Sequence, residues 1–455
     1  MTRNPLMRSP RSLTNGGVMS EELLLSVPAA TRLAENAVRS VRITPVAFHD
    51  PPLLNTVGVH EPLALRAIVQ VTTESGVVGL GETYGDSAHL QRLRVAADAV
   101  LGCDVFATND LRARVERSVA GDGIRGGHGM SGMVTGTSTG DRVLSPFDVA
   151  TVDIRGKLLG VPASELLGGR VRDAVPFSGY LFYKWAGHPG GSVDEWGEAL
   201  TPEGIVAQAR RIVDTYGFTA LKLKAGVFAP DDEIAAILAL REEFPDHPLR
   251  IDPNGAWTVE TSLRVADALK DVLEYLEDPT PGLAGMAEVR RHTDLPLATN
   301  MCVVAFSHIA EAVRLGAIDI VLSDHHFWGG LERSRLLAGF AETLGWGLSM
   351  HSNSHLGISL AAMTHLAAAT PGVGYACDTH WPWKREDEDV IAPGALSFVD
   401  GSLAVPTAPG LGVDLDPEAL ARLHRQYLDG GIRERDDTGY MQRVDHGYVL
   451  ESPRW

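Results

Sequence analysis

The chain has 455 residues, 44% of them hydrophobic and 22% charged, and a net charge of −18. That length exceeds one ordinary core and predicts two domains, while the acidic balance opposes nucleic acid and anionic membranes, both of which need a basic footprint. Cys103, Cys302 and Cys377 are too few and too scattered for a disulfide framework or a Cys-only zinc site, and no apolar run reaches the roughly 18 residues of a membrane helix, so we expect a reducing, cytoplasmic setting.

Residues 1–38 read as a flexible extension. Arg3, Arg8 and Arg11 are basic, but the apolar run from Leu23 to Ala30 is short, broken by Pro28 and preceded by Glu21 and Glu22, which does not suit a signal peptide. Met19 is an alternative start. Val38 to Phe48 predicts a strand, and "ALRAIVQVTT", a turn at Glu74–Gly76 and "VVGLGE" predict a β-hairpin or meander. Residues 88–118 show helical periodicity without proline. The Gly-rich stretch 121–140 lacks G-K-[ST] and is no P-loop; it reads as a mobile loop or as a lid. A helix is predicted from Ser145 to Leu167, with Ser145 as N-cap, Pro146 in the first turn and Gly168–Gly169 as its stop.

Strand and helix then alternate. "FTALKLKAG", "LRIDPNGAW", "LEYLEDP", "LPLATNM", "IDIVLSD" and "WGLSMHS" read as strands, followed by helices from Asp231, Thr258, near Met286, Ser307, Leu331 and Leu356. Such alternation implies a parallel sheet, either a (β/α) barrel of modified TIM type or a doubly wound sheet. The expected division is an α+β capping domain over 39–170, an α/β barrel over 171–400, and a segment over 401–455 that returns to the capping domain.

These strands end in turn on Lys224, Asp252, Glu277, Asn300, Asp324 and His351, at separations of 28, 25, 23, 24 and 27 residues. One β/α repeat consumes about that length, so the residues fall at the C-terminal mouth of successive strands, where barrel enzymes carry their chemistry. A single Asp after a strand is more often a helix cap; six polar mouth positions in a row are not. Asp252, Glu277 and Asn300 offer three hard oxygen ligands on adjacent strands, a set suited to Mg²⁺. Lys222 and Lys224 are two apart and share a face. Their mutual repulsion predicts a lowered lysine pKa and makes Lys224 a candidate base. Asp324 can orient His351 as a second acid/base. A base on each side of a metal-bound carboxylate suits abstraction of an α-proton.

The strings "LKLKAG", "IDPNGAW", "LEDP", "LATNM", "LSDHHFWGG" and "MHSNSHLGIS" together resemble the enolase superfamily, and "DPNGAW", "ATNM", "HFW" and "DTHWPW" bring the chain nearest its glucarate dehydratases. The resemblance implies Asp252, Glu277 and Asn300 as Mg²⁺ ligands. Lys224 would be one acid/base with Lys222 beside it, and His351 with Asp324 the other. It places Asn254 near the substrate carboxylate or leaving group. It implicates Asn55 and His60 of "LLNTVGVHEP" and Tyr183 of "GYLFY" in binding substrate, and His380 and Arg435 as contacts to the far carboxylate of a diacid. The stretch after Glu277 is shorter than in the best-known members. "SDHH" stands where they carry proline, which leaves His325 without a family role. The implied activity is Mg²⁺-dependent dehydration of a small dicarboxylate sugar acid by a homo-oligomer. An epimerase or racemase, another hydroxy-acid dehydratase, or a catalytically impaired paralogue on the same scaffold are the alternatives.

Overall fold

The computed structural model describes residues 34–121 and 138–455, with the backbone of 126–127 and 134–135 between them. The predicted N-terminal extension up to residue 33 and most of the Gly-rich stretch lie outside the described residues. Strand β1 (Val38–His49) pairs antiparallel with β2 (Leu63–Thr73), which pairs antiparallel with β3 (Val78–Tyr84). The 88–118 segment forms two helices, α1 (Ser87–Val100) and α2 (Thr108–Ser118). The break falls at Gly102, whose φ of 71° is left-handed and ends a helix at little cost.

The predicted start at Ser145 is wrong. Helix α3 runs Thr139–Leu159, with Ser138 Oγ accepting from Asp141 N at 3.3 Å, and Pro146 lies inside it. Packing overrides the proline. Gly79 and Gly81 of β3 press their backbone against the carbonyls of Ala150 and Pro146, where an added Cβ would collide with the helix backbone. The missing Pro146 N–H weakens the helix, but the sheet holds it in place. The helix ends at Gly160, φ 70°, and the predicted continuation is a separate short turn at Ala163–Leu166.

The second unit is a closed barrel. Its parallel strands are β4 (Ala174–Phe182), β5 (Leu221–Lys224), β6 (Leu249–Asp252), β7 (Leu273–Glu277), β8 (Leu297–Thr299), β9 (Ile320–Ser323), β10 (Gly347–Met350) and β11 (Cys377–Thr379). Helices α4 (Pro202–Tyr216), α5 (Pro230–Glu243), α6 (Val259–Leu269), α7 (Gly282–Arg290), α8 (Phe306–Leu315), α9 (Leu331–Leu344) and α10 (Gly357–Ala368) connect them. β11 pairs in parallel with β4, which removes the doubly wound alternative. The seam between β10 and β11 is bridged by Ser349 Oγ, which donates to the carbonyl of Ala376 at 3.0 Å. The chain then returns: a hairpin of β12 (Phe398–Val399) and β13 (Ser402–Ala404) pairs with β4. Helix α11 (Pro417–Gly430) packs on β1, and α12 (Asp437–Val444) reaches the loop at Gly58–Val59. The fold is thus an N-terminal capping domain on an α/β barrel.

One buried carboxylate ties the two units. Asp148 of α3 accepts from Leu331 N at 2.6 Å and caps α9. Burial and the neighbouring Glu332 push its pKa up to about 7. A carboxyl raised in the folded state stabilises below its unfolded pKa of 3.8, and that contribution is lost as pH rises through about 7. Asp148→Asn is therefore expected to flatten the pH dependence of stability between about pH 4 and 7 by a few kcal/mol. Denaturant midpoints across that range check it; parallel wild-type and variant curves refute it.

Candidate active site

Lys224, Asp252, Glu277, Asn300, Asp324 and His351 all lie at the C-terminal ends of the barrel strands and are at most 3% exposed. Lys224 pairs in register with Asp252, and Ser323 with Met350, which sets Asp324 beside His351. Lys222 Nζ lies 2.6 Å from Glu277 Oε2 and 2.5 Å from Asp378 Oδ2. Lys224 Nζ lies 2.6 Å from Asp252 Oδ2 and donates to the hydroxyl of Tyr180 at 3.3 Å. Asn254, at a left-handed φ of 50°, donates its backbone N–H to Asp252 Oδ1 at 2.9 Å and its Nδ2 to Asp252 Oδ2 at 3.2 Å.

The expected depression of the lysine pair does not hold for Lys222. Burial pushes its pKa down, but the carboxylates of Asp378 and Glu277 outweigh this and hold it well above the ordinary value. The like charge of Lys224 is answered by acids on both sides. Glu277 is pushed well up by burial and by Asp252. Crowded acids of this kind ask for more positive charge than one ammonium each. Asn300 Nδ2 donates to Glu277 Oε1 at 2.7 Å, while Asn300 Oδ1 is buried with no hydrogen-bond partner among the described residues. Carboxylate oxygens on β6 and β7 and an orphaned amide oxygen after β8 fit a hard divalent cation. Asp278 stiffens this side: its carboxylate accepts from Asn300 N at 2.8 Å, Met301 N at 3.1 Å and Thr299 Oγ1 at 2.5 Å.

On the opposite wall, His351 Nδ1 lies 3.1 Å from Asp324 Oδ2. Burial lowers the His351 pKa and the hydrogen bond to Asp324 opposes the drop. Burial alone would raise Asp324, yet the His326 and His351 rings hold it well below the carboxylate range. Asp324, His325 and His326 bring ligand atoms within 4.8 Å of one another. This triplet is a poor cation site, because both Asp324 oxygens already accept imidazole hydrogen bonds and the Arg66 guanidinium is 2.9 Å from His326 Nε2.

The remaining predicted residues divide. Asn55 is buried and its Oδ1 accepts from Val57 N at 2.8 Å. His60 is buried, with Nδ1 3.1 Å from Asp50 Oδ2 and its ring 5.8 Å from Phe182. His380 lies 4.7 Å from the Tyr180 ring, and burial together with the charges of His60, His355, His351 and Lys224 pushes its pKa well down. It therefore stands beside Tyr180 at the barrel mouth as a buried ring held neutral. Arg435 is placed differently from the expectation. Its guanidinium spans Asp437 (2.8 and 3.1 Å) and Asp50 (2.8 Å), so two acids match its charge and it clamps the C-terminal segment to the capping loop. Tyr183 is also placed differently. Tyr180 and Phe182 pair in register with Lys222 and Lys224 and share their face. Tyr183 has the opposite parity and packs edge-on against Phe228, 4.9 Å between centroids, away from the lysines. Tyr180 is the aromatic residue that meets the lysines, with Lys222 Nζ 4.6 Å from its ring centre.

Residues 39–168 match the family description "Mandelate racemase / muconate lactonizing enzyme, N-terminal domain", and residues 204–419 match "Enolase C-terminal domain-like". These fall on the cap and on the barrel, and the chain belongs to the enolase superfamily. Over 428 residues it is 52% identical to a "Probable glucarate dehydratase" of Streptomyces coelicolor, which covers 92% of this chain and 99% of that protein. A solved enolase from Mycobacterium smegmatis complexed with tartrate shares 63% identity at a TM-score of 0.88, over 92% of this chain and 98% of the other. One from Gibberella zeae complexed with magnesium, formate and sulfate shares 57% at a TM-score of 0.92, over 94% and 99%.

Proposed function

We propose that this protein is a Mg²⁺-dependent hydro-lyase that dehydrates an acid sugar, D-glucarate or a related hexarate, to a keto-deoxy diacid. The observation that carries this reading is the oxygen triad of Asp252, Glu277 and Asn300 set between Lys224 on β5 and the Asp324–His351 pair across the barrel. Support comes from the named activity of the Streptomyces relative, the tartrate (a hydroxylated diacid) held by the Mycobacterium enzyme and the magnesium held by the Gibberella enzyme.

Asp252, Glu277 and Asn300 would hold Mg²⁺, which when bound offsets the negative charge that develops on the substrate carboxylate as its α-proton leaves. In its neutral amine form Lys224 Nζ takes that proton, and Asp252 and Tyr180 aim it. Lys222, held charged by Glu277 and Asp378, adds a fixed positive charge beside the carboxylate. His351 gives a proton to the departing β-hydroxyl, and Asp324 stabilises the imidazolium this needs against its burial. Water leaves, and the enol tautomerises to the ketone. Asn254, Asn55, His60 and His380 would orient the hydroxyls.

The test is keto-acid formation from a panel of hexarates, hexonates and tartrates, with Mg²⁺ and with EDTA. Turnover of a hexarate that EDTA abolishes is expected; turnover unaffected by EDTA, or none with any hexarate, refutes the reading. A second reading has its own observation. Lys224 and His351 approach from opposite walls, as an epimerase requires. Solvent deuterium entering recovered substrate without keto acid would select it.

A further inference from the structure

The ring of His326 is fixed at both nitrogens. Its Nδ1 is 2.8 Å from Asp324 Oδ1, and its Nε2 is 2.9 Å from Arg66 NH2 and 3.0 Å from Ser359 Oγ. A guanidinium can only donate. His326 Nε2 must therefore accept, the ring is neutral, and its single proton sits on Nδ1 and goes to Asp324. The backbone N–H of His326 reaches the same Asp324 oxygen at 2.9 Å. Asp324 is left with Oδ2 directed at His351 Nδ1, so each carboxylate oxygen serves one imidazole.

Arg66 sits on β2 of the capping domain and is itself held. Its Nε donates to Glu82 Oε1 on β3 at 2.8 Å. Glu82 also accepts from Leu356 N and Ser359 N, each at 2.9 Å, at the start of α10, which follows the His351 loop. Arg66, Glu82, His326, Asp324 and His351 are all at most 5% exposed, so water does not compete for these bonds. Around them stand Tyr84, Arg142, His325 and His355. A second imidazole that was free to protonate would place a cation against Asp324 and weaken its hold on His351. A guanidinium on Nε2 prevents this.

We propose that His326 and Arg66 are positioning residues for the Asp324–His351 pair, through which the capping domain sets the tautomer and aim of an acid/base on the barrel. Arg66 fixes His326 as the Nδ1–H tautomer, His326 fixes Asp324, and Asp324 fixes His351. The effect on turnover rests on the dehydratase reading; the tautomer assignment does not.

The experiment uses the full chain loaded with Mg²⁺, as wild type, His326→Leu and His326→Asn. His326→Leu is expected to lower kcat on a hexarate about 100-fold with KM little changed, because a misdirected histidine loses rate rather than binding. His326→Asn, whose amide can still donate to Asp324, is expected to recover most of that loss. In ¹⁵N-histidine-labelled wild type, His326 should appear as the neutral Nδ1–H tautomer from about pH 6 to 8. His326→Leu turning over within about 2-fold of wild type, His326→Asn faring no better than a damaged His326→Leu, or an Nε2–H or doubly protonated His326 would each overturn the proposal. If His326→Leu does not fold, the asparagine variant and the wild-type tautomer decide. If no hexarate is turned over, the dehydratase reading fails and the tautomer measurement alone decides this one.

Discussion

Lys224→Ala is expected to abolish both keto-acid formation and exchange of the substrate α-proton with solvent, with a fall in turnover of about 10²- to 10⁴-fold. His351→Ala is expected to lose a similar factor in keto-acid formation yet retain measurable α-proton exchange. The difference follows from the assigned roles. Lys224 Nζ, aimed by Asp252 at 2.6 Å and Tyr180 at 3.3 Å, is the group that would remove the α-proton. His351 acts later, on the hydroxyl that leaves. Deuterium incorporation by NMR, run beside the keto-acid assay, reads both steps in one sample. Full activity in either variant would sink the mechanism. The reverse pattern, with exchange lost only in His351→Ala, would interchange the two roles.

Lys222→Met is expected to destabilise the fold by about 3–5 kcal/mol, the loss typical of removing one partner from a buried charge cluster. The ammonium touches Glu277 and Asp378 and lies 4.0 Å from Asp252, all within the barrel mouth and all at most 1% exposed. Removing it leaves Glu277 and Asp378 without their ammonium in a buried mouth that water does not reach, while Asp252 keeps Lys224 at 2.6 Å. Glu277 and Asp378 would relieve their unpaired charge by binding protons, so the loss should be smaller at acid pH than at neutral pH. Because Asp252 and Glu277 are proposed cation ligands, millimolar Mg²⁺ should recover more stability in the variant than in wild type. Thermal unfolding at two pH values, with and without Mg²⁺, checks each part. An unchanged midpoint at neutral pH would show that the cluster does not depend on Lys222.

Much of this site was legible in the chain. A 23- to 28-residue repeat of strand, polar residue and helix fixes a mouth and its order, because a parallel barrel presents the same position once per β/α unit. The same spacing reaches one strand further: Asp378 follows His351 by 27 residues and, with Glu277, holds Lys222. Tyr180 rather than Tyr183 could be read from alternation along β4, had that strand been placed in register with β5. The lysine pKa could not be read, since it depends on which acids converge on Lys222 from strands far apart in sequence. The break of the 88–118 helix is marked in the sequence by Gly102, whereas the proline inside α3 could not be read, because the sheet's contact through Gly79 and Gly81 overrides local propensity there.

The sequence by itself determined the α/β alternation, the run of polar residues at the strand ends and the family, since each rests on residue identity and on spacing along one chain. The tertiary structure alone decided barrel closure through β11 and β4, the charge balance around Lys222, the clamping role of Arg435, and the Arg66–His326–Asp324–His351 chain. Arg66 and His326 are 260 residues apart. No local pattern registers such a pair, because its energy arises only when two buried polar groups are brought together and each becomes the other's substitute for water.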